Sequence, residues 1–336
     1  MEVSQYQFDW PFFGNQHIIE FLQASIVNDK LAHCYIFTGL AEVGKSTVTK
    51  HFGATLLCDN LKKSGKLPCQ ECVSCRQVYK EIHSDVHYLQ RQEDKKNISI
   101  DQVREFINIM RLGTFVGIYK IGIIKEADKL SDQAANALLK TLEESKKNII
   151  IILLATELEK LPTTIVSRAQ VLTFRSVAVN DINDYLVDCF SASRTDARDF
   201  ANLSLSRPAR AAKIFEDRGY LAEIRATTAE LLNLFSADLK GKIKICSSLL
   251  AKTSKKDERK KAEEIIDLWQ SVIRDLLIIA YGQEHLAANQ HLLEKIKETS
   301  ITIAELIEFN KNLEKTRLYL DASVNPKLAL EQLYYQ

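Results

Sequence analysis

Two sets of residues have the types and spacing that chemistry needs. The first is GLAEVGKS, residues 39–46, which fits G-x-x-x-x-G-K-[ST] at every fixed position. Gly39 and Gly44 let the backbone wrap tightly, so that its N–H groups face phosphate oxygens. Lys45 brings a point charge to the β and γ oxygens, and Ser46, with Thr47 beside it, offers a hydroxyl to magnesium. A helix that opens here adds its positive end. ATP with Mg2+ is the ligand this chemistry suits.

The second set is Cys58, Cys69, Cys72 and Cys75, spaced C-x10-C-x2-C-x2-C. Tight C-x-x-C turns bring pairs of sulfurs to the separation that a tetrahedral zinc ion needs. An iron–sulfur cluster is the alternative occupant. Four cysteines fill four positions and leave none open, so the expected role is structural. The spacer DNLKKSGKLP is polar, and the segment holds too little apolar surface to bury four thiols on its own.

A third observation complicates the first. The apolar run before IGIIKEADKL ends in Lys125-Glu126. A nucleotide-hydrolysing loop protein ordinarily ends this strand in an aspartate that helps to hold magnesium. Lys125 repels a cation. Asp128 is expected to lie past the strand, a poor substitute.

The elements that must position these residues alternate. HCYIFT (33–38), DVHYL (85–89), YKIGII (119–124), IIIILLA (149–155) and VLTF (171–174) read as short buried strands. Between them, residues 16–29, a stretch from Lys45, a stretch from near Asp101, and DQAANALLKTLEESKK, capped by Ser131, have helical spacing. This order predicts an α/β parallel sheet covered on both faces. Strand signals stop near residue 176. Short helices with Pro208 between them follow over 180–218, and helical patterns then run to the end. The broadest is the stripe Ile265, Ile266, Trp269, Val272, Ile273, Leu276, Leu277.

Length and composition fit this picture. A chain of 336 residues holds two or three domains, and 11 Gly with 5 Pro suggests a helix-rich protein with short connections. The net charge of +1 gives no overall attraction to nucleic acid. The basic run 252–261 reads as a solvated face. Seven cysteines, an odd number, argue against a disulfide framework. The N-terminus has no signal-peptide pattern and IIIILLA is far too short to span a bilayer, so a cytoplasmic protein is expected.

On these residues the chain resembles the bacterial clamp-loader subunits of DNA polymerase III, which are AAA+ proteins. LAHCYIFTGLAEVGKST resembles the family's strand and phosphate loop, and the four-cysteine module stands in the family's place after the first loop helix. HSDVHYL, ISIDQVREF and DQAANALLKTLEES follow in family order, the last being the most specific. LPTTIVSRAQVLTF resembles the "SRC" region, with Ala169 where cysteine is usual, and LEKTRLYLDASVNPKLALEQL is similar to the family's last helices.

The resemblance implies an AAA+ nucleotide-binding domain over 1–176 with its zinc module at 58–75. A helical lid over 177–221 and an all-α collar over 222–336 would follow. Within the family the chain is most similar to the delta-prime type; gamma/tau chains are close relatives, and tau chains carry a long extension past the collar. The implied partners are gamma/tau and delta subunits in a hetero-pentamer, the sliding clamp, and primed DNA through the complex. Implied roles follow for single residues. Glu126 would orient attacking water and Thr156 would sense the γ-phosphate, although strand-end threonines also serve as caps. Arg207 or Arg210 in SRPARAA would be the lid's sensor. Arg168 would reach into a neighbouring subunit's ATP site. With Lys125 in the aspartate's place, slow or absent hydrolysis is expected. The competing readings are a gamma-type ATPase motor and a stand-alone nucleic-acid-binding zinc protein.

Overall fold

Cys34–Thr38 (β2) and Lys120–Ile124 (β5) are buried at every position, and Ile149–Leu154 (β6) at all but its first. Strands apolar on both sides must be covered on both faces. In a computed structural model of the chain they pair with Val86–Leu89 (β4) and Gln170–Thr173 (β7) in a five-stranded parallel sheet of order β4-β5-β6-β2-β7. The structure describes residues 6–61, 65–92, 95–143, 148–251, 253–254, 257–297, 301–322 and 324–334.

The strand period of two sorts the core into two layers. Tyr35, Phe37, Ile121, Ile123, Ile150 and Ile152 pack on one face with Gln16–Val27 (α1) and Lys45–Leu56 (α2). Cys34, Ile36, Ile124, Ile151 and Leu153 face the other way, toward Ile100–Arg111 (α4) and Asp132–Glu143 (α5). Helix α4 opens on a capping box in which Ser99 and Gln102 satisfy each other's end groups. Ser131 caps α5, its Oγ accepting from the Ala134 N–H at 3.3 Å. The continuation expected for α5 over 144–147 lies outside the described residues. Asp85, buried ahead of β4, accepts the N–H groups of Phe115, Val116 and Gly117 at 2.7–2.8 Å.

Short elements here, among them the following, have no counterpart in the sequence expectations. Tyr6–Phe8 (β1) pairs in parallel with Gly65–Leu67 (β3), away from the main sheet. Val73–Tyr79 (α3) is a short helix inside the cysteine segment. Three-residue strands and a two-turn helix are too short to leave a period in the sequence.

The chain divides into two compact units. One is Met1–Tyr185 with Ser206–Ala209, the other Leu186–Leu205 with Arg210–Gln336. Thr163–Val166 (α6) completes the first, and Val179–Phe190 (α7) carries the boundary. Arg194–Leu203 (α8) and Pro208–Glu216 (α9) follow. Arg218–Ser236 (α10), Leu239–Ala251 (α11), Glu258–Ala280 (α12), Leu293–Lys297 (α13), Ile303–Asp321 (α14) and Pro326–Glu331 (α15) complete the second. Trp269 anchors the helical unit: it is fully buried and its indole N–H donates to the Thr227 carbonyl at 2.9 Å. Two cations of the basic run pair within this unit, while Lys260 is exposed. Arg259 pairs with Glu263 and Asp321, and Lys261 with Glu223 and Glu264. Lys252, Lys255 and Lys256 lie outside the described residues. No helix among the described residues is long and apolar enough to cross a membrane.

Candidate functional site: phosphate loop and cysteine knuckle

The loop follows β2, an interior strand between β6 and β7, and turns directly into α2. Gly39 has φ +131°, and a Cβ there would lie 2.2 Å from the Phe174 carbonyl oxygen. Gly44 has φ +99°, and a Cβ would lie 2.1 Å from the Phe12 ring. Only glycine fits either position, because both the left-handed backbone and the close approach exclude a side chain. Val43 is fully buried and pins the loop between them. The first turn of α2 is closed by the Val48 N–H to Gly44 carbonyl bond at 3.0 Å, leaving the earlier N–H groups directed off the helix end. Ser46 is exposed there and Thr47 half-buried.

Lys45 folds back over its own loop, donating to the carbonyls of Gly39 and, at 2.7 Å, Leu40. Burial pushes its pKa down to about 8; the Asp128 carboxylate opposes that shift and the Arg207 guanidinium adds to it. This places Arg207 in the electrostatic field of the loop. The Ala209 N–H donates to the Glu42 carbonyl at 3.1 Å and holds the segment there. Of the two sensor candidates, Arg210 is a helical-unit residue. Its side chain is fully buried and pairs with Glu264 at 3.1 Å, which also accepts from the Tyr220 hydroxyl at 2.6 Å. Arg210 is therefore tied to packing, and Arg207 is the arginine that the loop feels.

The residues after β5 part company. Lys125 continues the ladder with its N–H to the Leu89 carbonyl. Its ammonium lies 3.3 Å from Glu81 and 4.9 Å from the Tyr88 ring centroid, on the β4 side. Glu81 also pairs with Lys50 at 2.8 Å, and that bond is the first cause holding its carboxyl below the usual range. Glu126 adopts left-handed backbone, φ 53°, and meets Arg91 at 3.3 Å. Asp128 does lie past the strand, in the turn Ala127–Lys129, but its carboxylate points back to the sheet. It accepts the Thr156 N–H at 3.0 Å and the Thr156 hydroxyl at 3.1 Å. Asp128 thus lies past the strand as expected, and Thr156 holds its carboxylate through both oxygens. Arg168, partly exposed, donates to the Thr164 carbonyl and pairs with Glu143 at 2.8 Å.

The four cysteine sulfurs lie within 4.8 Å of one another. A tetrahedron of Zn–S bonds sets sulfurs about 3.8 Å apart, so the cluster could hold a metal ion. The turns are built for it: the Cys72 N–H donates to Cys69 Sγ at 3.4 Å, and the Cys75 N–H to Cys72 Sγ at 3.3 Å, capping α3. Burial opposes ionisation of Cys69, but N–H donors from Cys72 and Glu71 outweigh it and bring its pKa to about 7. Burial drives Cys58 and, much further, Cys75 upward. A divalent ion bound here must displace their protons. Two of the four thiols, Cys58 and Cys75, are buried, and Cys69 and Cys72 are half-buried, in keeping with the expectation that the segment cannot bury all four on its own. Leu67 and Leu61 lie within it, but Tyr6 and Phe8 arrive from β1, outside the segment.

The same N-terminal stretch reaches the phosphate loop. Asp9 binds Gln70 and Lys66 of the knuckle at 2.9 and 2.6 Å. Trp10 donates to the Thr55 hydroxyl at 3.0 Å and packs edge-on against Phe52 of α2. Phe12 then covers Gly44. Sequence reasoning missed this strap, since aromatic residues near a terminus carry no signal of what they cover.

Residues 14–178 match the model of a family described as "DNA polymerase III, delta subunit". The delta-prime subunit of DNA polymerase III from Bacillus subtilis is 27% identical over 318 residues, 94% of each chain. The tau subunit of the same organism is 34% identical over 164 residues, 49% of this chain and 28% of its own length. A delta-prime subunit from Pseudomonas aeruginosa is 34% identical over 137 residues, 41% of each chain. The chain therefore spans nearly the whole of one delta-prime relative and less than a third of the tau relative.

Proposed function

Because this chain belongs to the family of bacterial DNA polymerase III clamp-loader subunits, we propose that it serves as the delta-prime-type member of the loader. In this reading it joins gamma/tau and delta subunits in a hetero-pentamer that places the sliding clamp on primed DNA in the cytoplasm. Residues 1–176 act as the AAA+ domain, 177–221 as lid and 222–336 as collar. Cys58, Cys69, Cys72 and Cys75 hold a structural zinc ion. Gly39, Gly44, Lys45, Ser46 and Thr47 bind ATP with Mg2+, and this subunit turns it over poorly.

One observation carries the choice of a non-motor role: both residues at the end of β5 are engaged away from the loop. Lys125 is paired with Glu81, and Glu126, the acid that would orient water, is paired with Arg91. Arg168 then becomes the working residue, acting in trans. Its bonds in the single chain are to an exposed glutamate, a carbonyl and the neighbouring Ser167 hydroxyl, and exposed ion pairs are worth only about 0–1 kcal/mol. Releasing it toward a neighbour's phosphates is therefore easy. Fingers of this kind raise turnover by ~10³–10⁵.

The test is a loader reconstituted with Arg168→Ala. Partner ATPase activity should fall by about 10³-fold or more while this chain keeps its circular dichroism and its place in the complex. Unchanged turnover sinks the finger. The second reading, a gamma-type motor with Glu126 and Thr156 catalytic, is favoured by the intact loop. Sustained ATP turnover by the purified chain alone would move it to first place.

A further inference from the structure

The lysine at residue 125 leaves the phosphate loop without the acid that the end of β5 would supply. Strand β6 lies between β5 and β2, and the loop follows β2. Thr156 follows β6, so a group held by Thr156 is carried from the end of β5 toward the loop. The Asp128 carboxylate is held in that way, through both its oxygens. Its side chain is only 3% exposed, and the nearest ammonium on its own turn, Lys129, is 4.0 Å away. A buried carboxylate needs a compensating charge, and Lys45 is the loop cation whose protonation Asp128 favours.

We propose that Asp128 is the carboxylate of the phosphate site, facing a bound metal–nucleotide in place of residue 125; this rests on reading the loop as a nucleotide site. An ionised carboxylate offers about four lone-pair positions. Thr156 uses two of them, leaving oxygen donors of the hard kind that magnesium takes, as is the exposed Ser46 hydroxyl. Without a divalent cation the same carboxylate repels phosphate and competes for Lys45. Nucleotide binding should therefore depend steeply on the metal. With Glu126 held by Arg91, metal-dependent binding need not bring turnover.

The experiment measures the affinity of the full chain for a fluorescent ATP analogue in Mg2+ and in EDTA. The native chain should bind at least about tenfold more tightly with Mg2+. Asp128→Asn should bring the two affinities close together, weakening binding in Mg2+ and not in EDTA. Lys125→Ala should keep the native ratio. Asp128→Glu, which retains the charge, should keep a metal preference and guards against misfolding of the amide variant, checked by thermal melting. The proposal is overturned if Asp128→Asn keeps the native ratio. It is equally overturned if both Asp128 variants fold and lose the ratio, for then Asp128 acts only by holding Thr156. Absence of binding by the native chain in both media overturns the nucleotide reading itself, and the inference with it.

Discussion

The phosphate loop and the cysteine knuckle are neighbours in sequence but are held in place by different physics. The loop is fixed by the main core: Val43 and Val48 are fully buried, and Gly39 and Gly44 are pressed against Phe174 and Phe12. These contacts with the core set its shape. The knuckle's own buried residues are Cys58, Leu67 and Cys75, helped by partly buried Tyr6, Phe8, Leu61, Cys69 and Cys72. So small an apolar set gives the knuckle little cohesion of its own, and its four cysteines could hold a metal ion that would add to it. The contrast teaches that burial shapes the loop, whereas the knuckle stands ready for coordination, with the stretch Tyr6–Phe12 running between them.

The largest expected effect breaks the knuckle alone. Chelation, or Cys75→Ser, should remove amide protection from β3, α3 and β1 while β2, β5 and β6 keep theirs. Structural zinc contributes an apparent ~10–16 kcal/mol in small zinc domains, far beyond what the knuckle's apolar contacts can replace. Hydrogen exchange read by peptide decides it; equal loss across the sheet would mean that the two regions are one cooperative unit.

A second test goes to the loop. Gly44→Ala forces a methyl group into the Phe12 ring at positive φ. Strain and overpacking together should cost about 2–4 kcal/mol and abolish nucleotide binding, with metal content unchanged. Pairing it with Phe12→Ala sharpens the comparison: if the clash is the cause, the double variant should recover part of the stability.

The strap between the regions is the third target. Trp10→Phe deletes the hydrogen bond to Thr55 and should cost about 1–2 kcal/mol. In a Trp269→Phe background, Trp10 fluorescence should report metal removal directly, because Asp9 beside it is bonded to the knuckle. Emission indifferent to chelation would cut the tie.

The smallest effect is a pH dependence. Lys45 has a folded pKa near 8, depressed by burial from the ordinary lysine value. Below pH 8 the cost of burying its charge is present in full. As pH rises through 8 the folded state sheds the proton first, so this contribution to stability improves up to the unfolded value of about 10.4. Phosphate binding should reverse that loss of charge, drawing a proton onto Lys45. Calorimetry at pH 8.5 in two buffers of different ionisation enthalpy should record proton uptake on nucleotide binding, and none for Lys45→Met.

The sequence by itself determined the sheet class, the loop and the four-cysteine set. Each is a local pattern: buried strands write continuous apolar runs, the loop is one octapeptide, and the cysteines carry their spacing with them. The resemblance to clamp-loader subunits rested on the same contiguous stretches. It also placed Lys125 correctly at the end of β5. What it left undecided was direction. Lys125, Glu126 and Asp128 stand within four positions of one another, past a strand end where no period governs side chains. Lys125, still in the ladder, meets Glu81, while past it the left-handed Glu126 meets Arg91 and Asp128 binds Thr156. Arg207 and Arg210 divide in the same manner, one to the field of the loop and one to the helical core. Residues so close in sequence are separated only by what packs beside them, and those neighbours come from strands and helices far along the chain.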